Sequence, residues 1–189
     1  MATMGLQQVG LLILLASGVV TLDCDEIVQH QKGELRKTKE LLEAMSGGPA
    51  SPPECPITGM PDFGSPIRST SRPSKEDARM AIGLIFKKTL HVFQLNFTQA
   101  NWNTTVTDLF QVELHQQSQW WERCSVAHTG REARLQDPRV KLNLMIYFRK
   151  LQTFLRDKQY SLCAWEAVRK TISVNNLILL DQLLKSLSD

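Results

Sequence analysis

The chain has 189 residues, and its 22 lysines and arginines outnumber its 19 aspartates and glutamates by a formal net charge of +3. So small an excess does not by itself require a nucleic acid or a membrane surface as a partner. The cysteines and histidines are spaced too widely for a zinc site, so we expect no bound metal. The sequence contains no phosphate-binding loop, serine-hydrolase motif or metal-binding histidine pair. It therefore predicts neither an enzyme nor a cofactor.

The amino-terminal segment 1–22 carries no charged side chain and contains the apolar run LLILLASGVV. An apolar run of this length that ends in small residues is typical of a secretory signal peptide and is too short to span a bilayer. We expect residues 1–22 to be removed, with cleavage anywhere from Gly18 to Asp23. Residues 23–189 then form a single domain that is secreted to the extracellular space without membrane insertion.

Apolar residues recur at spacings of three and four along the mature chain, which predicts an all-α fold. Ser74 with Asp77 three residues on resembles a capping box, and Asp137-Pro138 is an N-cap followed by proline at the first helical position. The five predicted helices cover about residues 25–45, 75–97, 106–124, 138–157 and 162–187.

The connections between these helices predict a topology. Residues 47–74 hold seven of the eight prolines, so they form a long crossover that returns the chain and makes the first two helices parallel. The short second connection turns the third helix down. We expect the next connection to cross the bundle again, so that the fourth helix runs down and the fifth up. This is the up-up-down-down helical cytokine plan with five helices. It places Cys24, Cys124 and Cys163 at the lower end with Cys55 within reach, and it permits all three disulfide pairings.

Three features then resemble one known family. The stretch CAWEAVR, residues 163–169, is similar to the Cys-Ala-Trp-Glu-Val-Val-Arg signature in the last helix of type I interferons, the alpha/beta interferon family. The crossover stretch DFGSP, residues 62–66, resembles the Asp-Phe-Gly-aromatic-Pro of the interferon loop, with Ser65 as the departure. The cysteines also follow the order of the four-cysteine members.

The resemblance implies two disulfides, Cys24 with Cys124 and Cys55 with Cys163. It implies a cytokine that bridges two receptor chains and thereby triggers kinase and transcription-factor signalling and antiviral gene expression. The first helix, the crossover and the last helix would form the tighter receptor face, and the other three helices the second face. By position, the receptor-binding candidates are Arg169 first, then Lys170, Ser173 and Leu177. The arginine usual before Asp-Phe-Gly is replaced here by Thr58-Gly59-Met60-Pro61, so either Arg68 substitutes for it or the face is built differently.

Several alternatives stay open on the sequence alone. Arg169 is otherwise a solvated surface charge. Residues 131–158 hold eight basic side chains against three acidic ones, which suits acidic glycans, a receptor or simply a solvated face. Asn96 and Asn103 begin glycosylation sequons, and Asn103 is the favoured acceptor because Asn96 falls in an apolar part of the predicted helix. Another secreted helical-bundle cytokine or a small helical lipid carrier fits the composition, and no pattern specifies an oligomeric state.

Overall fold

A computed structural model of the chain describes residues 24–47, 55, 62–67, 73–129 and 135–188, so the predicted signal peptide lies outside the described residues. Within this part the structure is helical and contains no strand, which confirms the all-α prediction. None of its helices is long and apolar enough to cross a membrane. The helices are α1 (Cys24–Ala44), α2 (Lys75–Phe93), α3 (Thr104–Thr129), α4 (Pro138–Asp157), α5 (Leu162–Thr171) and α6 (Leu177–Ser188). A π-helical turn, Ile172–Asn176, joins α5 and α6 into one continuous last helix.

Local signals explain most of the helix ends. α1 ends before Gly47, whose φ of 82° is easily reached only without a β-carbon. Ser74 caps α2 by accepting a hydrogen bond from the backbone N–H of Asp77 at 3.0 Å. Asp137 caps α4 in the same way through the N–H of Arg139. The prediction that α2 continues to residue 97 is wrong, because the helix ends at Phe93. Beyond that end, the side chain of Asn96 bonds the backbone of its own turn.

The helix directions differ from the prediction in one respect. We call the end of the bundle where α1 begins the lower end. The buried carboxylate of Asp77, in the first turn of α2, accepts a hydrogen bond from the backbone N–H of Gln136 at 2.6 Å. Gln136 therefore lies at the lower end, and α4, which begins two residues later, runs up. The last helix begins at the upper end, where Arg169 reaches the carbonyl of Leu42 near the end of α1. The prediction that α4 runs down and the last helix up is therefore wrong.

The up-up-down-down plan itself is retained. It is formed by α1, α2, α3 and the last helix, and α4 is the additional helix packed beside α2 and the last helix. The two disulfides clamp opposite ends of this bundle. Cys24 pairs with Cys124 at the lower end and Cys55 pairs with Cys163 at the upper end, as the family resemblance implied. Cys163 was expected at the lower end and lies at the upper end, so that location is wrong. Each disulfide closes a loop of 100 residues or more, for which the chain-entropy model gives about 4.7 kcal/mol.

Aromatic side chains fill the upper end of the core. Phe93 packs against Phe110, Trp102 and Trp165, with ring centroids 4.8 to 5.8 Å apart. The indole N–H of Trp165 donates to the backbone carbonyl of Asn96 at 3.0 Å. The connection between α2 and α3 is thereby attached to the first turn of the last helix.

A fully buried ion pair lies beside this cluster. Glu166 and Arg169 have 0% and 1% of their surface exposed, and a guanidinium nitrogen lies 2.8 Å from the carboxylate. The second carboxylate oxygen accepts from the indole N–H of Trp102 at 2.7 Å, and the guanidinium also donates to the carbonyl of Leu42. Burying two charges costs several kcal/mol per ion unless hydrogen bonds compensate. Here the last helix, α1 and the α2–α3 connection together provide the compensation.

A second polar network joins α1 to α3. The amide of Gln117 donates to Thr38 and to Glu113, and the amide of Gln31 donates to Gln117, all within 2.8 Å. The indole of Trp121 donates to Gln31 at 2.9 Å. The two polar residues that interrupt the apolar stripe of α3, Glu113 and Gln117, are therefore buried partners of α1.

Four ionisable side chains meet at the edge of this network. Lys37 lies 2.6 Å from Glu113 and 3.6 Å from Glu34, which also contacts His30. Burial opposes the ionisation of Glu113, but its hydrogen bond to Lys37 holds its pKa below the ordinary value. Burial, together with its contact with Glu113, raises the pKa of Glu34. The hydrogen bond to Glu113 raises the pKa of Lys37.

We expect Arg169→Ala to lower the free energy of unfolding by about 3–5 kcal/mol, because Glu166 would remain buried without its cation. The double variant Glu166→Gln/Arg169→Met should lose clearly less than the two single changes added together. Urea unfolding with both disulfides intact measures these values. The matched control is Lys170→Ala, next in the chain but only partly buried, which should change stability by no more than about 0.5 kcal/mol. Equal small effects of Arg169→Ala and Lys170→Ala would contradict the structural role of the pair.

We expect Lys37→Ala to cost about 1–2 kcal/mol at neutral pH, a modest value because Lys37 is more than half exposed. The folded-state pKa of Glu113 is lowered, so the stability it contributes is present at neutral pH and is lost as pH falls through that pKa. The difference between variant and wild type should therefore be largest near pH 7 and should narrow below about pH 4.5. Thermal unfolding across pH 3–7 measures it. Lys39→Ala, in an exposed pair on the same helix, should show no such trend.

Candidate functional site

The π turn changes which side of the last helix faces the core. A regular helix would continue the inward stripe of Trp165, Val168 and Ile172 to Leu179. The turn instead accommodates one extra residue, which rotates the following segment. As a result Leu177, Leu180, Leu183, Leu184 and Leu187 are buried in α6, whereas Leu179 is only partly buried.

The outward side of the last helix carries an apolar strip. Val174 and Ile178 have 58% and 52% of their surface exposed, although both are large hydrophobic residues. They follow Lys170 at intervals of four, so the three side chains form one line along the helix. We call Lys170, Val174 and Ile178 the last-helix strip. Ser173 lies beside it and is half buried.

The described part of the crossover, residues 62–67, lies next to this strip. The amide of Asn175 in the last helix donates to the carbonyl of Gly64 at 3.2 Å. Gly64 adopts a φ of 75°, which suits glycine, and the preceding Asp62 carboxylate accepts its N–H. Phe63 is buried and packs edge-on against Phe154 of α4, with ring centroids 5.3 Å apart. The crossover therefore contacts both the last helix and α4.

Two of the four predicted receptor-binding residues are buried in the structure. Arg169 is buried in the ion pair with Glu166, so it is neither an exposed contact residue nor a solvated charge. Leu177 is 7% exposed because the π turn directs it inward. Lys170 and Ser173 are partly buried and still reach the surface. Arg68, the suggested substitute for the missing loop arginine, lies outside the described residues.

Sequence reasoning missed Val174 and Ile178. The signal was present in the stretch VNNLILLDQLL, which is apolar on nearly every side of a helix. A helix with one buried face does not need apolar residues all round. The excess therefore indicated an exposed apolar surface, but the side on which it lies depends on the π turn.

The two glycosylation sequons are placed alike. Asn96 and Asn103 are both exposed in the connection between α2 and α3. The hydroxyl and the backbone N–H of Thr98 both donate to the side-chain carbonyl of Asn96, at 2.7 and 3.1 Å. The side-chain carbonyl of Asn103 accepts from the N–H of Val106 and so caps α3. The reason for preferring Asn103 is wrong, because Asn96 lies beyond the end of α2 and is open to solvent.

Comparison with known sequences identifies relatives along nearly the whole described chain. The family model of the interferon alpha/beta domain matches residues 27–187. Human interferon alpha-16 is 31% identical over 164 residues, which are 85% of each chain. Interferon omega-1 of the horse, Equus caballus, is 30% identical over 165 residues, covering 86% of this chain and 83% of the relative. Mouse interferon beta is 27% identical over 170 residues, covering 89% of both.

Solved structures give the same fold. Zebrafish interferon 1 superposes with a TM-score of 0.67 at 22% identity, covering 86% of this chain and 99% of that one. Zebrafish interferon 2 superposes with a TM-score of 0.60 at 26% identity, covering 78% and 96% of the two chains. With the matched domain extending over nearly all of the helical bundle, the chain belongs to the interferon alpha/beta family.

Proposed function

We propose that this interferon-like cytokine is secreted, that it bridges the two chains of a type I interferon receptor on the cell surface, and that it thereby induces antiviral genes. The observation that carries the proposal is the last-helix strip, an exposed apolar line on the helix that bears the CAWEAVR signature. Family membership favours this function over a lipid carrier or an enzyme. Secretion agrees with the apolar segment 1–22 and with the two disulfides, which persist in oxidising compartments.

The last-helix strip has the properties of a binding hot spot. Burying one large apolar side chain contributes about 1.5–3 kcal/mol, and Val174 and Ile178 lie close enough to be covered together. Lys170 at one end of the line suits a receptor carboxylate. The ion pair of Arg169 with Glu166 fixes the helix beneath these side chains, so little conformational freedom remains to be lost on binding.

The proposal also covers Ser173, Arg169 and the basic residues of α4. Ser173 borders the last-helix strip and would lie at the rim of the contact. Basic residues on α4 would attract acidic groups, whether of acidic glycans at the cell surface or of a receptor. Arg169 contributes to receptor binding by holding the helix in place and makes no contact itself.

We expect Val174→Ala and Ile178→Ala each to raise the concentration for half-maximal transcription-factor phosphorylation about tenfold, which corresponds to about 1.4 kcal/mol of lost contact energy. The assay uses purified mature protein on cells of the source species. Ser188→Ala, exposed at the end of the same helix and off the line of the strip, is the control and should act like wild type. Circular dichroism confirms that the variants are folded. A wild-type protein that is inactive on cells responsive to another interferon would refute the cytokine proposal.

We expect both Asn96 and Asn103 to accept N-linked glycans when the chain is expressed through a secretory pathway, because both side chains are exposed. Asn96→Asp removes one acceptor but keeps the side-chain oxygen of its turn. Thr105→Ala removes the other sequon but leaves Asn103 as the cap of α3. Each change should remove one glycan from the mass released by peptide N-glycosidase F. An unchanged mass in either variant would show that its site is not used.

A further inference from the structure

A cavity of about 310 Å³ opens between α2 and α3, on the side of the bundle where α4 begins. Its apolar walls are formed by Met80, Leu84, Val126 and Leu135. Val126 keeps 46% of its surface exposed, although it is a large hydrophobic residue. An apolar depression with a solvent-exposed wall is typical of a site where another molecule binds.

The floor of the cavity is formed by a close approach of two helices. A β-carbon at Gly83 of α2 would lie 3.0 Å from the β-carbon of Trp121 in α3, so a side chain at this position would force the helices apart. The lining also includes the hydroxyl groups of Ser118 and Ser125, which donate to backbone carbonyls of α3 at 2.9 and 2.8 Å. Neither hydroxyl therefore needs a polar ligand, and the floor suits an apolar group.

The rim of the cavity is positively charged. Lys87 of α2 and Lys141 of α4 both line it and are exposed. Glu122, the acidic residue of the lining, lies 3.8 Å from Lys87, so Lys141 gives the rim its excess positive charge. A group that fits both the walls and the rim is apolar at its tip and has a carboxylate beside it.

The size and openness of the cavity favour a protein side chain over a small molecule. Sites for small molecules have volumes of about 300–1,000 Å³ and enclose most of the ligand. This cavity is at the lower end of that range, and its lining includes the exposed residues Val126, Lys87 and Glu122, so a small molecule would stay partly in water. An apolar side chain that projects from a protein surface is instead covered by the rest of the interface.

The cavity lies away from the last-helix strip. Both α3 and the last helix pack against α1 and α2, so α3 and the last helix lie across the bundle from each other. The residues that line the cavity belong to α2, α3 and α4 or, for Leu135, to the segment just before α4. A protein bound at the cavity and another bound at the last-helix strip would therefore contact separate surfaces, as the bridging of two receptor chains requires.

We propose that this cavity is the anchor site for the second receptor chain, the one that does not contact the last-helix strip. The cavity takes one large aliphatic or aromatic side chain of the receptor, and a receptor carboxylate beside that side chain pairs with Lys141. Anchors of this kind carry much of the binding energy of an interface and decide which partner fits. The proposal rests on the receptor function proposed above and adds the pocket that selects the second chain.

The experiment measures the binding of the full mature chain to each of the two receptor ectodomains by surface plasmon resonance. Leu84→Trp fills the cavity and Lys141→Glu reverses the charge at its rim, and each should weaken binding of the second chain about tenfold. Binding of the first chain, which Val174→Ala weakens, should not change, and this result verifies that the variants are folded. The effect of Lys141→Glu should shrink between about 0.05 and 0.5 M salt, because screening reduces attraction between exposed charges. The matched control is Lys32→Glu, exposed on α1, which should leave binding of the second chain unchanged.

Other outcomes overturn the proposal in distinguishable ways. If wild type binds neither ectodomain, the receptor function itself fails. If wild type binds both and neither variant weakens the second chain, the cavity is not part of the interface. If both chains are weakened alike, the variants act through the fold. If Leu84→Trp abolishes only a thermal shift caused by decanoate, the cavity binds a small amphipathic anion.

Discussion

The buried ion pair between Glu166 and Arg169 is the constraint on which the upper end of the molecule depends. Neither charge reaches water, so each must find its hydrogen bonds in the protein. Among the described residues, partners come from the last helix itself, from Trp102 in the α2–α3 connection and from Leu42 in α1. Moving Trp102 or Leu42 removes a hydrogen bond from a buried charge. The pair therefore defines where the last helix begins and how it is oriented against α1.

Contacts with the interior explain the composition of CAWEAVRK. Cys163 closes the upper disulfide, Trp165 bonds the connection after α2, and Glu166 and Arg169 form the ion pair. These residues all contact the interior, and the proposed receptor surface begins only with Lys170. On that proposal, the signature accompanies receptor binding because its residues support the helix that carries the binding surface. Its arginine suits bidentate recognition of a carboxylate, and that carboxylate belongs to the protein itself.

The sequence predicted those features of the helices that depend on residues near one another in the chain. The caps at Ser74 and Asp137 and the extents of α1 and α4 were predicted correctly, because they depend on neighbours along one helix. The direction of α4 was not predictable from the length of its connection, which is long enough to cross the bundle or to remain at one end. A single long-range contact, from Asp77 to Gln136, decides it. The inward turn of Leu177 likewise depends on a π turn that no periodicity in the sequence announces.

The π turn is itself held by tertiary contacts. Asn176, at its end, accepts from the hydroxyl of Tyr147 and donates to Thr89, so a buried amide is satisfied from α4 and α2 at once. Two such buried polar anchors hold the helix beneath the last-helix strip: the ion pair at Arg169, next to Lys170, and Asn176, between Val174 and Ile178. An apolar strip on a freely rotating helix would lose conformational entropy on binding. A strip whose helix is fixed at two points presents a preformed surface. On the function proposed above, the buried polar groups of the core thereby support recognition outside it.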